Sequence, residues 1–296
     1  MEKSLYLEYV QRFFPQLVLS IVERLNEKRA NQLPYMYKTL LTPDFSADGR
    51  WSSILAEYNR VAADVVSLDS ELPLKTRDSI ETASGEIPKL GMKLYLTEKQ
   101  MKDIDAMIAQ SLPLNQIVNK IFNDLPRCLE GVWERIEDMF LSELSTGIGL
   151  SERNNGTGVR LDVGYYTANK FGVSVLWDDP DTSTPLDDMQ KVFDKALEDQ
   201  NTVTDIWLDD AALKGLYQSK QVRGQYAFDN KVTAQEGVGV PTLDFDKAAQ
   251  VVKTKWDVTL HRVARKIKTE INGVKKSHSP WQQGMVVFTC DEKLGS

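Results

Sequence analysis

The residues best suited to chemistry lie in an acidic stretch at 177–188, with the sequence WDDPDTSTPLDD. Carboxylates this close together can bind Ca²⁺ or Mg²⁺. The stretch does not follow the EF-hand pattern, because the sixth position counted from Asp178 is Ser183 rather than Gly and the twelfth is Met189 rather than Glu. Acidic residues before a helix also stabilise its positive N-terminal end. We therefore interpret the stretch as a loop that leads into a helix, with a metal-dependent hydrolase as the alternative.

Few other side chains are suited to catalysis. The two histidines of the sequence, His261 and His278, are in no spacing that is typical of metal ligands. The two cysteines, Cys128 and Cys290, lie far apart and without a partner motif, which indicates free thiols in a reducing compartment. We expect packing or surface roles for all four. The sequence thus predicts no enzyme, no catalytic residue, no metal site and no cofactor.

Charge is distributed unevenly along the chain. The net charge of −7 argues against a dominant attraction to nucleic acid or anionic lipid. Residues 253–276 nevertheless carry a net charge of +6, which leaves about −13 for the remainder. We predict a basic helix over 247–272, ended by Gly273, from a stripe of apolar residues that includes Trp256 and Leu260. Its basic face could bind nucleic acid, contact an acidic surface of another subunit, or simply face water.

Neither export nor membrane insertion is predicted. The first 25 residues lack a short apolar run followed by a small-residue cleavage site. No stretch reaches the roughly 18 consecutive apolar residues that are needed to span a bilayer.

The elements of the first half are mainly helical. Apolar residues at steps of about four predict an amphipathic helix over 5–30, bent near Pro15, and a short helix over 50–63. Thr97 and Gln100 form a capping-box pattern, which predicts a helix to about Ser111. The clearest helical stripe begins at Pro126 and ends before a glycine suited to a left-handed cap. Its residues are Leu129, Val132, Trp133, Ile136, Phe140, Leu144 and the capping Gly147.

Residues 66–96 do not follow the helical spacing of apolar residues. Apolar residues from Leu90 to Leu96 alternate with polar ones, as in a half-buried strand. Pro73 biases the residue before it towards extended backbone, and Gly85 and Pro88 supply turn chemistry. We predict a long antiparallel ribbon. Because a two-stranded ribbon is marginally stable alone in water, we expect it to lie on a neighbouring molecule.

The second half alternates strands and helices. Predicted strands are 159–166, 172–177, 204–208 and 284–290, and predicted helices follow Thr184 and Asp209. The helix after Thr184 should turn Leu186, Met189, Phe193 and Leu197 inward. Residues 221–246 predict a loop or short hairpin. The pattern indicates an α/β or α+β body, and we expect the chain to end before its last sheet is closed.

Several stretches, in this order, resemble the major capsid proteins of tailed bacteriophages and prophages, most closely the lambda-like branch. They are residues 60–98 (RVAADVVSLDSELPLKTRDSIETASGEIPKLGMKLYLTE), 139–147 (MFLSELSTG), VRLDVGYY and VSVLWDDPDTSTPLDDM. The resemblance implies the Hong Kong phage-type α+β fold, with an N-terminal arm, an extended β-hairpin loop, a spine helix at about 114–146 and an axial domain. The implied domains are a helical arm at 1–65, the hairpin loop at 66–96, a peripheral domain at 97–164, the axial domain at 165–246 and a return to the peripheral domain at 247–296.

The resemblance also implies a function without an active site. Such proteins assemble as pentamers and hexamers of an icosahedral shell around double-stranded DNA, which they contact without sequence specificity. Scaffolding, portal or decoration proteins are the other implied partners, and the implied location is the virion, assembled in the cytoplasm of a bacterial host. On this interpretation the contacts between subunits would be made by Leu72, Leu74, Arg77, Glu81, Glu86, Lys89, Met92 and Leu94.

Three alternatives stay open at this point. An encapsulin-like compartment would use the same fold for a cellular shell. A metal-dependent hydrolase would use the acids of 177–188. A nucleic-acid binder would use the basic residues of 253–276.

Overall fold

The protein is mixed α and β, and its chain divides into two compact units. The structure, a computed structural model, describes residues 6–27, 34–56, 80–87, 89–151, 159–162, 169–231, 242–271, 273–290 and 293–295. Among these residues no helix is both long and apolar enough to cross a membrane. The predicted α+β class is confirmed.

The first unit, residues 1–39 and 89–140, is helical. Its helices are α1 (Leu7–Glu27), α2 (Met36–Leu40), α3 (Glu98–Ala109), α4 (Leu114–Ile121) and α5 (Leu125–Thr146), the last of which continues into the second unit. The predicted capping box is confirmed, since the Thr97 hydroxyl accepts the Gln100 N–H while the Gln100 side chain accepts the Thr97 N–H. A small core forms around Tyr6, Ile104 and Ile117.

The predicted spine is divided. Instead of one helix over 114–146, the structure has α4 and α5, separated by residues 122–124. Helix α5 ends as predicted, because Gly147 takes up a φ of +77°, a conformation that favours glycine.

The second unit, residues 40–88 and 141–296, contains every described strand. Its elements are β1 (Arg50–Ala56), β2 (Ile80–Glu86), β3 (Ile148–Ser151), β4 (Val159–Asp162), α6 (Pro185–Glu198), β5 (Asp205–Asp209), α7 (Asp210–Gln218), α8 (Lys220–Asp229), α9 (Phe245–Trp256), β6 (Thr259–Val263), β7 (Ile267–Ile271), β8 (Val274–His278) and β9 (Val286–Thr289).

The core of this unit is a three-stranded sheet covered by helices. In the strand order β6-β5-β9, β5 is parallel to β6 and antiparallel to β9. Ile206 and Leu208 of β5 are fully buried against α6, α7, α8 and α9. Phe193 stacks on Trp256 with ring centroids 4.7 Å apart, which joins α6 to α9. The alternating burial along β5 confirms the strand predicted at 204–208.

Several predicted elements are wrong. Residues 50–56 are strand β1 rather than helix, and residues 57–63 lie outside the described residues. Residues 90–96 and 172–177 form no strand. Residues 220–229 are helix α8 rather than a loop. Leu197, expected to face inward from α6, is 76% exposed.

The predicted basic helix at 247–272 is also wrong. Helix α9 ends at Trp256, and Asp257 takes up the left-handed conformation at its C-terminus. Strands β6 and β7 follow. Apolar residues in short strands separated by bends happen to fall at steps of three and four, which is why they imitate a helical stripe.

Candidate assembly surface

The ribbon of this protein is formed by β1 and β2. The two strands pair antiparallel along their whole length, from Arg50 opposite Glu86 to Ala56 opposite Ile80. They form a sheet of their own with no third described strand. This is not the ribbon predicted over 66–96: its first strand lies upstream of residue 66, residues 90–96 of the predicted second strand form no strand, and residues 57–79 lie outside the described residues. Its strands also end before Pro88, so Gly85 lies within a strand near the base rather than in a turn at the tip.

The base of the ribbon is held by local hydrogen bonds. The Ile87 N–H donates to the carbonyl of Gly49 at 2.8 Å, and the Arg50 N–H donates to the carboxylate of Asp48 at 3.1 Å. The Ser46 hydroxyl also donates to Asp48, and this bond lowers the pKa of that carboxyl. Gly49 has a φ of +70°, which suits glycine. Residues 46–50 thus form a hydrogen-bonded turn that leads into β1.

An apolar surface lies at the same base. Trp51 faces Gly85 across the ribbon so closely that a Cβ at Gly85 would lie 2.6 Å from the indole Nε1. The glycine is therefore needed for the indole to lie flat across the second strand. Trp51 stays 36% exposed and Ile87 50% exposed. Large apolar side chains left in water beside an isolated ribbon are typical of a surface that another molecule covers.

The predicted contact residues fall into three groups. Leu72, Leu74 and Arg77 lie outside the described residues. Glu81 and Glu86 lie on β2, opposite Leu55 and Arg50. Lys89, Met92 and Leu94 belong to the first unit, on an exposed segment without strand structure.

Met92 has a defined neighbour within the first unit. Its Sδ atom lies 2.6 Å from where a Cβ at Gly131 would be, so the thioether fills the space that a glycine leaves on α5. At Met92 the alternation therefore reflects contact with a helix of the same unit rather than pairing in a strand.

The structure adds a residue that sequence reasoning missed. Trp51 falls in the helix predicted over 50–63, because Trp51, Ile54, Leu55 and Tyr58 recur at helical steps. The signal that could have corrected this is Asp48-Gly49, a dipeptide typical of tight turns at strand ends.

The acidic stretch is used for local structure. The Asp179 carboxylate accepts hydrogen bonds from the Thr182 hydroxyl at 2.6 Å and from the Asp181 N–H at 3.1 Å, and these bonds lower its pKa. Asp188 is buried, where it accepts from the Trp177 indole N–H and pairs with Lys191. Among the described residues no three His, Cys, Asp or Glu side chains are grouped so as to hold a metal ion. These contacts support the interpretation as a loop before α6.

The remaining candidate groups also have packing partners. His261 stacks on Trp207 with ring centroids 4.0 Å apart, and its Nε2 lies 2.6 Å from a carboxylate oxygen of Asp205. Cys128 is half-buried on α5, and burial raises the pKa of its thiol. A raised thiol pKa disfavours the reactive thiolate.

Comparison with known proteins identifies the family of this chain. No curated protein matches the chain. The family model described as phage major capsid protein E matches residues 55–272, about three quarters of the chain. This range includes β2, all of α3 to α9 and the strands from β3 to β7. The chain therefore belongs to the phage major capsid protein E family and is a structural subunit of a phage capsid.

Proposed function

We propose that this capsid subunit closes an icosahedral shell of the Hong Kong phage type around double-stranded DNA, as pentamers and hexamers. The family match over 55–272 is the observation that carries the proposal. Membership of a capsid family gives the chain a structural role in the virion and favours neither the hydrolase nor the cellular compartment. Assembly would take place in the cytoplasm of a bacterial host, with scaffolding, portal or decoration proteins as further partners.

The ribbon is the proposed contact between subunits. The β1 and β2 strands pair only with each other among the described residues, and the base of the ribbon exposes Trp51 and Ile87. A contact between two different surfaces of identical subunits forms a ring when the rotation closes. Each contact can be weak, since a shell repeats it many times.

Individual residues would have separate roles in contacts between subunits. Leu72 and Leu74 would supply apolar area, as would Met92 and Leu94, which lie on an exposed segment separate from the ribbon. Arg77, Glu81, Glu86 and Lys89 would set register through charge. Exposed charges contribute more to specificity and association rate than to affinity. The domain boundaries at 96, 164 and 246 are part of the same proposal, whereas the boundary at 65 falls between the paired strands β1 and β2, so the proposed ribbon begins at Arg50.

Replacing the ribbon tests the proposal. In the full-length protein, residues 50–86 would be exchanged for a short Gly-Ser linker, which leaves the Gly49 and Ile87 base in place. We expect the wild type with its scaffold to form closed particles in electron micrographs, whereas the exchanged protein stays folded and does not form particles. Particles from the exchanged protein would contradict the proposed role of the ribbon. A wild type that stays monomeric under all assembly conditions would contradict the proposed shell.

A further inference from the structure

The basic segment at 253–276 contains a β-hairpin in place of the predicted helix. Strand β7 pairs antiparallel with β8, from Ile267 opposite His278 to Ile271 opposite Val274. The two strands form a separate sheet, so the outer edge of each has no partner strand among the described residues. Ile267 is buried at the base, but every residue of β8 is exposed. Because an isolated hairpin with free edges is marginally stable and prone to pair, such a surface is normally covered.

The β7–β8 hairpin carries lysines on both of its faces. Lys268 and Lys276 are exposed and have no carboxylate partner among the described residues. Residues that lie directly opposite each other share a face, so Lys268, opposite Ser277, and Lys276, opposite Thr269, point to opposite sides. Lys275 makes one long ion pair with Glu270, at 3.8 Å. The unpaired lysines leave the hairpin with a positive charge that nothing in the described chain neutralises.

Complementary charge is present on the same chain. Outside 253–276 the chain carries about −13. Asp178, Asp181 and Asp187 are exposed carboxylates without a cation partner among the described residues. One copy thus has both an unneutralised basic hairpin and unneutralised acids, and a second copy would bring the two signs together.

Nucleic acid fits this surface less well. The lysines lie on both faces of the hairpin rather than along one stripe, and Glu270 lies among them. Strands β7 and β8 carry no Phe, Tyr or Trp on which a base could stack. We propose that the β7–β8 hairpin binds an acidic surface of a neighbouring copy of this chain, as a second contact between subunits besides the ribbon. This inference rests on the proposed shell function and names one of the surfaces that would build it.

A charge-reversal variant of the full-length protein tests the inference. Lys268→Glu with Lys276→Glu places repulsive charge on the hairpin, and both positions are exposed, so the fold should be kept. The matched control, Lys170→Glu with Lys214→Glu, makes the same change in net charge at two exposed lysines of the same unit. Assembly would be followed by light scattering and electron microscopy with scaffold, after nuclease treatment, over a range of salt concentrations. Circular dichroism would check that both variants are folded.

We expect the hairpin variant to need about tenfold more protein than the wild type to form particles, because two exposed attractions become repulsions. We expect the control to assemble like the wild type, and the difference to shrink with added salt as the charges are screened. A folded hairpin variant that assembles like the control would overturn the inference while leaving the shell function intact. Normal empty shells that bind less DNA would overturn it in favour of a nucleic-acid contact. If the wild type forms no shell, the proposed function fails and this inference fails with it.

Discussion

Glu137 shows how a single buried carboxylate positions the start of helix α2. It is fully buried on α5, where its two oxygens accept the backbone N–H groups of Met36 at 2.9 Å and Tyr37 at 3.1 Å. These are N–H groups that the first turn of α2 cannot satisfy within the helix. Nearby, the Tyr35 hydroxyl donates to Glu134 at 2.9 Å. The start of α2 is thus attached to α5 by hydrogen bonds to carboxylates.

Removing the Glu137 carboxylate should weaken this attachment. We expect Glu137→Ala to lower the free energy of unfolding by about 2–4 kcal/mol, since two backbone N–H groups lose a charged acceptor that is itself buried. The same substitution at Glu130, half-buried on the same helix and without a hydrogen bond to a described residue, should cost less than about 1 kcal/mol. Urea denaturation measures both values. Equal losses for the two variants would show that the hydrogen bonds to Met36 and Tyr37 contribute little.

Glu143, unlike Glu137, is a carboxylate whose charged form is disfavoured by burial. It lies in the last turn of α5, without a hydrogen-bonding or cationic partner among the described residues, and burial raises the pKa of its carboxyl above the usual 4.5. A raised pKa means that the folded protein binds the proton more tightly than the unfolded chain. The contribution of this group to stability therefore grows as the pH falls towards 4.5. At neutral pH the charged form is unfavourable, both through burial and through its position at a helix C-terminus.

The Glu143→Gln variant should therefore be more stable than the wild type at pH 7. We expect its Tm to be higher by roughly 1–2 °C, a small effect because the side chain keeps some contact with solvent. The difference should shrink as the pH is lowered from 7 towards 4.5, where the wild-type carboxyl takes up its proton. Differential scanning calorimetry over this range measures it. A variant that is less stable than the wild type at pH 7 would mean that the charged carboxylate is stabilised after all.

At the scale of elements, two helical glycines in the second unit should respond oppositely to the same change. A Cβ at Gly215 of α7 would lie 2.5 Å from the backbone oxygen of Trp177, whereas a Cβ at Gly224 of α8 would meet nothing within 4 Å. Gly215→Ala forces the backbone at Trp177 to move, so it should lower the free energy of unfolding by about 1–3 kcal/mol. Gly224→Ala should raise it by about 0.5–1 kcal/mol, because alanine loses less conformational entropy in a helix.

Thermal or urea unfolding of the two variants decides this prediction. A stabilising Gly215→Ala would show that α7 does not approach the 177–188 loop as closely as described.

Helices with caps could be predicted from the sequence, and short strands often could not. Helices α3, α5 and α6 were found because a capping box, Gly147 and Pro185 mark their ends. The β7–β8 hairpin was missed although Asn272-Gly273 between two apolar residues is a strong hairpin signal. Trp256, Leu260 and Val263 have helical spacing, and this signal conflicts with the turn signal. Pairing between distant strands, such as β5 with β6 and β9, depends on contacts that no local pattern encodes.

The candidate surface lies elsewhere than the sequence predicts. An antiparallel ribbon is predicted over 66–96, whereas the described ribbon pairs residues 50–56 with residues 80–86. Its first strand was missed because Trp51 fits a helical stripe as well as a strand. For Met92 a strand is predicted where none forms, since its alternation with polar neighbours reflects packing on Gly131.

Capsid family membership and the charge distribution both favour contacts between copies of this chain. An acidic chain with a basic hairpin and an isolated ribbon has surfaces that fit other copies of itself better than they fit a small substrate. The 42% of residues that are hydrophobic supply the cores of the two units, and the exposed apolar side chains at the ribbon base are the proposed contacts between subunits. Weak contacts of this kind become a stable shell through their number.

The most direct test is a cryo-electron microscopy reconstruction of particles assembled from the full-length protein, with any scaffolding protein that assembly requires. The account predicts a closed shell in which the β1–β2 ribbon crosses a subunit boundary and Trp51 lies against the adjoining copy. A shell in which the ribbon lies entirely on its own subunit, with Trp51 still in water, would contradict it.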